Sequence, residues 1–286
     1  ICATNMLLLN NYGNLVKKIK ENKYKVVDEI YMSIDGNNHH TMTKSLGLFL
    51  CSFVETIKRE KPDWVVLAGD RGEQLMGAIA ASYTYTPVAH IQAGERSGNI
   101  DGVARHAIGK FVHIHFAANL DAVKRLCLLG EEEFRIHNVG APQLDDLINI
   151  KILNKISILN KLGLPKSDFI LIVQHPVTEQ MNEVSDQVDI LINSLKEINL
   201  NKIWILPNND AGSNSIRRGL LKERKSDTFV FDNLNREDYL ALLKNCLAIV
   251  GNSSSGLLEA PTFKTPAVNI GRRQNNRLQG KNVINC

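Results

Sequence analysis

Aromatic side chains are scarce in this 286-residue chain, where Phe, Trp and Tyr together make up 6%. A nucleic-acid surface interleaves aromatics with clustered basic residues. Here 34 Lys and Arg stand against 30 Asp and Glu, a net charge of +4, and the Lys-rich run from Lys151 to Lys166 reads as a solvated helix and linker. No nucleic-acid partner is expected. Cysteines are few and scattered: Cys2, Cys51, Cys127, Cys246 and Cys286 form no C-x-x-C pair and have no nearby His at ligand spacing. That excludes a disulfide framework and suits reduced thiols in the cytosol. No apolar run approaches the roughly 20 residues that cross a bilayer, and the N-terminus lacks the charged region and apolar core of a signal peptide. A cytoplasmic protein with no membrane partner is expected. G-x-G-x-x-G with a following acid, Walker A and G-x-S-x-G are all missing, so nicotinamide dehydrogenases, ATPases and serine hydrolases lose ground.

What is present is an ordinary globular composition, 44% hydrophobic and 22% charged. The length exceeds one domain of ~150 residues and suggests two. Short apolar runs end in polar or Gly-rich turns: 64–68 before Gly69-Asp70, 88–91 before Ala93-Gly94, and 113–117 before Asn119. Helical stretches such as 73–82 and 119–129 lie between them, which predicts βαβ units and a parallel sheet. The pattern restarts after residue 160. There 169–173 runs into Gln174-His175-Pro176, 202–206 into Pro207-Asn208-Asn209, and 247–250 into the loop Gly251–Pro261. The expected fold class is α/β, with one Rossmann-like domain over 1–150 and a second over 151–286, joined near 145–165. Ligands of such sheets sit beyond the carboxyl ends of the strands, where these polar residues lie. Both ends read as incomplete: 1–14 has an apolar run with no Gly-rich turn after it, and 283–286 has no closing helix. His39 and His40 read as loop residues rather than metal ligands.

Several constellations carry chemistry. The serines of Gly251-Asn-Ser-Ser-Ser-Gly256 can lie at a helix N-terminus, where unpaired amides and the dipole attract anions. Ser253, Ser254 and Ser255 add hydroxyl donors, and Glu259, one turn on, can accept from a ribose diol. A Ser-rich capping loop is the plainer alternative, and a structural cap is the plainer alternative for Asp70 in Gly69-Asp70-Arg71. The turn Gln92–Gly98 follows the next strand with Glu95 and Arg96, and His90 precedes it. Asp101 and Arg105 stand four apart, on one face if helical. A surface ion pair explains that spacing too, although the position directly after the Glu95 turn favours a functional role. His175, at a strand end of the second domain, suits an acid or a phosphate ligand. Arg272, Arg273 and Arg277 follow the run 267–270 and suit a multivalent phosphate, or merely solvate a surface helix.

Eight ordered segments resemble the hydrolysing UDP-N-acetylglucosamine 2-epimerases: Gly69-Asp-Arg-Gly-Glu73, His90-Ile-Gln-Ala-Gly-Glu-Arg-Ser-Gly98, Ile100-Asp-Gly-Val-Ala-Arg-His-Ala-Ile108, Val139-Gly-Ala-Pro142, Gln174-His-Pro176, Pro207-Asn-Asn-Asp-Ala-Gly-Ser213, Val250-Gly-Asn-Ser-Ser-Ser-Gly256 and Val268-Asn-Ile-Gly-Arg-Arg-Gln274. The match covers nearly everything from Lys61 onward and lies nearer the sialic-acid and legionaminic-acid branch. The resemblance implies two Rossmann-like domains facing a central cleft (GT-B-like), no metal or nicotinamide cofactor, and a homodimer or homotetramer. It also implies a reaction in which UDP is eliminated from a 2-acetamido sugar and water then adds with inversion at C2. Asp70, Glu95, Asp101 and His175 are the implied catalytic residues. Arg71, His90, Gln92, Arg105, Asn209, Ser253, Ser254, Ser255, Gly256, Glu259, Arg273 and Arg277 are the implied substrate contacts. Burial is expected to raise at least one of the acid pKa values, letting it hold a proton at neutral pH. Two departures stand out. Gln92 takes a place where many members carry Glu, and the family's opening Gly-Thr-Arg-like turn is not recognisable. The substrate is UDP-N,N'-diacetylbacillosamine or UDP-N-acetylglucosamine, and the string Gln92–Gly102 leans to the former. A GT-B glycosyltransferase with a UDP-sugar donor is the rival enzyme, and a nucleotide-sugar sensor the non-catalytic alternative.

Overall fold

Short strands alternate with helices along the whole chain, as the spacing of its apolar runs predicts. The structure, a computed structural model, describes every residue except 11–14, 37, 146, 148, 149 and 223–225. Contacts divide the chain into two units, Ile1–Pro142 with Asn275–Arg277, and Gln143–Gln274 with Leu278–Cys286.

In the first unit β1 (Cys2–Thr4) pairs in parallel with β2 (Asp28–Ile30), with α1 (Val16–Glu21) between them in sequence. Then follow α2 (His39–Glu60), β3 (Val65–Ala68), α3 (Gly72–Tyr83), β4 (Val88–Ala93), α4 (Ile100–Gly109), β5 (Ile114–Ala117), α5 (Leu120–Leu128) and β6 (Ile136–Asn138). Strands β3 to β6 form one parallel sheet in chain order. His39 and His40 are not loop residues: they open α2. The Asn38 side chain accepts from the Thr41 amide at 3.0 Å, and the Thr41 hydroxyl accepts from the Asn38 amide at 3.2 Å. This reciprocal cap satisfies two donors that a helix start leaves orphaned. One face of α2 then carries Phe49, Phe53 and Ile57, four apart, into a core with Val65, Leu67, Ala78, Ala81, Val88 and Ile108.

The second unit contains α6 (Lys155–Lys161), β7 (Phe169–Val173), α7 (Val184–Lys196), β8 (Asn201–Ile205), α8 (Ser213–Lys222), β9 (Thr228–Phe231), α9 (Arg236–Asn245), β10 (Ile249–Gly251), α10 (Ser255–Leu258), β11 (Ala267–Asn269) and β12 (Val283–Asn285). Its six strands are all parallel, in the order β12-β11-β10-β7-β8-β9. All five residues of β7 are buried, as expected of a parallel strand covered on both faces. Leu171 packs on one side with Ile203, Ile249 and Leu242, while Ile170 and Ile172 pack on the other with Trp204, Val188 and Ile216. Each such side chain contributes about 1.5–3 kcal/mol by leaving water. Ile158 and Leu159 of α6 join the first of these cores, so the Lys-rich segment is anchored rather than merely solvated. From β7 the chain builds outward to β8 and β9, then returns to lay β10, β11 and β12 on the opposite side. The order reverses between β7 and β10, and a Rossmann sheet binds ligands beyond the carboxyl ends of the strands at such a reversal. Among the described residues no helix is long and apolar enough to cross a membrane.

Candidate active site

In the first unit the chain leaves β3 through Gly69, whose φ of +84° suits glycine, into Asp70. The imidazole of His90, fully buried on β4, lies 2.7 Å from the Gly69 carbonyl through Nε2. A carbonyl only accepts, so Nε2 carries the proton. Burial pushes the ring's pKa down to about 4, leaving it neutral. His90 was expected to meet substrate; the structure places it behind the site, bracing the Gly69 turn.

The end of β4 is irregular. Its register against β5 shifts between Ile91 and Ala93, and Gln92 adopts φ +60°, unusual for a residue with a side chain. The turned Gln92 carbonyl accepts from Arg105 Nη1 at 2.6 Å. The next carbonyl but one, that of Gly94, accepts from Arg125 Nη1 at 2.7 Å. Arg105 was expected as a substrate contact and is instead buried, 3% exposed, because it also pairs with Asp70 and, at 3.2 Å, with Glu95. Glu95 is itself 4% exposed and accepts from Arg277 at 2.5 Å. Residues 275–277 belong to this unit, so Asp70, Arg105, Glu95 and Arg277 form a string of alternating charge.

Ser97 donates to Asp70 at 3.0 Å. Burial alone would raise the Asp70 pKa, but the charge and hydrogen bond of Arg105, the charge of Arg277 and the Ser97 bond outweigh it and hold the carboxyl below its usual range. Asp70 is therefore ionised at neutral pH and is not the acid expected to hold a proton there. Asp101 lies in the first turn of α4 and accepts from Asn99 Nδ2 at 2.8 Å. A Cβ on Gly102 would come within 2.4 Å of the Ser97 carbonyl, so only glycine lets α4 press on the segment that holds Ser97 against Asp70. Arg71 sits just before α3 and pairs with Glu73 at 3.5 Å. Asn5, just past β1, donates to Glu73 and accepts from Ser33 at 2.9 Å, which puts the carboxyl end of β1 beside the first turn of α3.

In the second unit the segments after β7 and β10 meet at the strand-order reversal. A Cβ on Gly251, whose φ is +128°, would lie 2.2 Å from the Val173 carbonyl, so glycine is required there. The next residue, Asn252, is 1% exposed. Its side chain accepts from the His175 amide and donates to the His175 carbonyl, both at 2.8 Å. Its own carbonyl accepts from Arg273 at 3.2 Å and from Gln274 at 2.9 Å. The His175 ring accepts weakly, at 3.4 Å, from the Asn208 amide in the turn after β8 that also carries Asn209. Arg273 donates to the Asn252 carbonyl and Arg277 to Glu95.

The serine loop leads into only four residues of α-helix, which breaks at Glu259 into a tight turn, 260–263, where Pro261 is tolerated. The Ser255 hydroxyl donates to Glu259 Oε2 at 2.5 Å, and Arg236 donates to Glu259 Oε1 at 2.8 Å. Ser255 therefore offers no spare proton to an anion, and both Glu259 oxygens already have partners. The phenol of Tyr239, its pKa pushed up by burial, hydrogen-bonds Ser255 and Ser253. Ser253 and Ser254 are partly exposed, whereas Ser255 and Gly256 are buried. Asn252, Arg236 and Tyr239 are residues that sequence reasoning missed. The last two stand three apart at the start of α9, a spacing that puts both on one helix face, but nothing in the sequence aims that face at the serine loop. Among the described residues no group of three or more His, Cys, Asp or Glu is placed to hold a metal ion.

Known proteins resemble this chain in sequence and in fold. A UDP-N,N'-diacetylbacillosamine 2-epimerase (hydrolyzing) of Legionella pneumophila is 37% identical over 287 residues, covering 99% of this chain and 76% of that protein. A UDP-N-acetylglucosamine 2-epimerase of Neisseria meningitidis is 34% identical, covering 99% of this chain and 74% of that protein. In fold the chain resembles the UDP-GlcNAc 2-epimerase of Methanocaldococcus jannaschii, solved with UDP-GlcNAc and UDP, at a TM-score of 0.81 and 18% identity over 100% of this chain and 80% of that one. The sequence pattern of the family described as UDP-N-acetylglucosamine 2-epimerase matches residues 1–286, and the chain belongs to that family.

Proposed function

We propose that the chain is a hydrolysing UDP-sugar 2-epimerase that supplies a free manno-configured sugar for nonulosonic acid synthesis, with UDP-N,N'-diacetylbacillosamine as substrate and UDP-N-acetylglucosamine as the second candidate. The observation that carries the reading is the pairing of two carboxylates, Asp70 and Glu95, on one buried guanidinium, Arg105. Loss of the C2 proton and departure of UDP from C1 give a glycal. Water then adds, its oxygen to C1 and a proton to C2 on the opposite face, so that UDP-sugar and water become UDP, the epimerised sugar and a proton. Such chemistry needs carboxylates able to take and return protons on both sides of one ring. Asp70, ionised by Arg105, is ready as an acceptor, with Glu95 and Asp101 as the companion acids. His175 and the Ser253–Gly256 loop at the strand-order reversal bind and assist the departing diphosphate. In this reading 1–150 carries the acid–base residues and 151–286 the nucleotide loop. Support for the diacetylated substrate comes from the Legionella relative, 37% identical. Support for the nonulosonic pathway comes from an Escherichia coli relative named as a polysialic acid biosynthesis protein, 32% identical. Membership of the epimerase family disfavours the glycosyltransferase alternative. A cytoplasmic homodimer or homotetramer goes with the reading, and light scattering measures the oligomeric state.

The test is to incubate the protein with each UDP-sugar, without any acceptor, and follow UDP and free sugar by NMR. UDP and a manno-configured sugar formed in equal amounts are expected, with the C2 proton exchanged for deuterium in D2O. Asp70→Asn is expected to reduce kcat by about 10²-fold or more, in the range of a lost acid–base group. Release of UDP only when an acceptor is present would establish the glycosyltransferase instead.

A further inference from the structure

We infer that His90 is a positioning residue for this reaction: its Nε2–H bond to the Gly69 carbonyl sets the turn that aims the Asp70 carboxylate. The inference rests on the reading of Asp70 as an acid–base group. His90 lies on the strand next to β3 and its side chain is 0% exposed, so it cannot touch substrate. The bond is 2.7 Å long, and it falls on the one residue between the end of β3 and Asp70. Gly69 is also tied back to the same strand, its amide donating to the Ile91 carbonyl at 3.1 Å. Both polar groups of the Gly69 peptide backbone are thus held by β4, one through the main chain and one through a side chain. The other ring nitrogen, Nδ1, is buried and has no hydrogen-bond partner among the described residues. An aliphatic side chain would fill the same space without the short bond to the residue before the acid, which is what distinguishes His90. Buried polar groups almost always have a hydrogen-bond partner, and the one that His90 has is the Gly69 carbonyl.

Glutamine and asparagine separate the two roles. The amide nitrogen of Gln can stand where Nε2 stands, whereas Asn reaches only the depth of Nδ1 and cannot span to Gly69. His90→Leu, His90→Asn, His90→Gln and Asp70→Asn are compared in the full-length chain with UDP-N,N'-diacetylbacillosamine and UDP-N-acetylglucosamine, measuring kcat, KM and the thermal midpoint of each. If the inference holds, His90→Leu and His90→Asn lose about tenfold or more in kcat with little change in KM, and His90→Gln recovers most of it. The recovery is expected even where the thermal midpoints of the Gln and Asn variants agree, which a purely structural role would not produce. Should His90→Leu fail to fold, the Gln and Asn pair decides alone. Equal kcat in those two variants, or losses confined to KM, overturns the inference while Asp70→Asn remains inactive. Full activity in Asp70→Asn overturns the reading of Asp70 and this inference with it.

Discussion

At the scale of single residues, burial and charge set protonation. Three imidazoles have lowered pKa values: burial acts first at His90, His106 and His115, joined by Arg125, Arg105 and Arg96 around His106 and by Arg135 and Lys110 around His115. At His115 the attraction of Glu131 opposes the shift without reversing it. A histidine whose folded pKa lies below its unfolded value binds its proton more readily when the chain unfolds. Its contribution to stability is therefore complete above the unfolded pKa of about 6.5 and lost as the pH falls below it. For His90 the loss levels off near pH 4, its folded value. Urea unfolding between pH 7.5 and 4.5 is expected to show stability falling with acid, by up to about 1.4 kcal/mol per pH unit for each imidazole. His90→Gln should make that slope shallower, and an unchanged slope would mean that the ring is already charged in the fold.

At the scale of elements, the strand-order reversal is stitched together by a side chain that imitates a strand. Asn252 pairs with the amide and carbonyl of His175 as a neighbouring backbone would, each at 2.8 Å. Asn252→Ala removes both of these bonds from a half-buried peptide. It is expected to weaken UDP binding by about tenfold, as two lost hydrogen bonds partly replaced by water would, with calorimetry as the check. The stitch itself could not be read from the chain, although its partners His175 and Arg273 stood out as candidate site residues. The strands were legible because buried parallel strands are continuous apolar runs, as in Phe169–Val173, and the acids were legible because Asp70 and Glu95 follow such runs. The start of α2 was misread because the cap at Asn38 uses Thr41 rather than a Glu, and two histidines show no apolar period. The burial of His90 and Arg105 was not legible, since a sequence shows that a guanidinium is near two acids and not that it lies beneath them. Asn252 acts on a residue 77 positions away, and Arg236 on one 23 away, distances at which no periodicity speaks.

At the scale of the molecule, the chain does not simply finish one unit and begin the next. Residues 275–277 return to the first unit, and 278–286 then add β12 to the second sheet. Arg277 is thereby joined to the charge string at Glu95. Arg277→Met is expected to lower the thermal midpoint because it leaves a buried carboxylate with one cation fewer, a change that can cost about 3 kcal/mol. Combined with Glu95→Gln, the loss should be smaller than the sum of the two single losses, as a double-mutant cycle would show for partners in direct contact. Additive losses would mean that the pair does not interact in solution. The three carbonyls of Gly69, Gln92 and Gly94, each held by an imidazole or guanidinium, lead further. At Gln92 the fixing engages only the main-chain carbonyl and makes no demand on the side chain. Position 92 can therefore exchange a carboxylate for an amide without any shift in the frame.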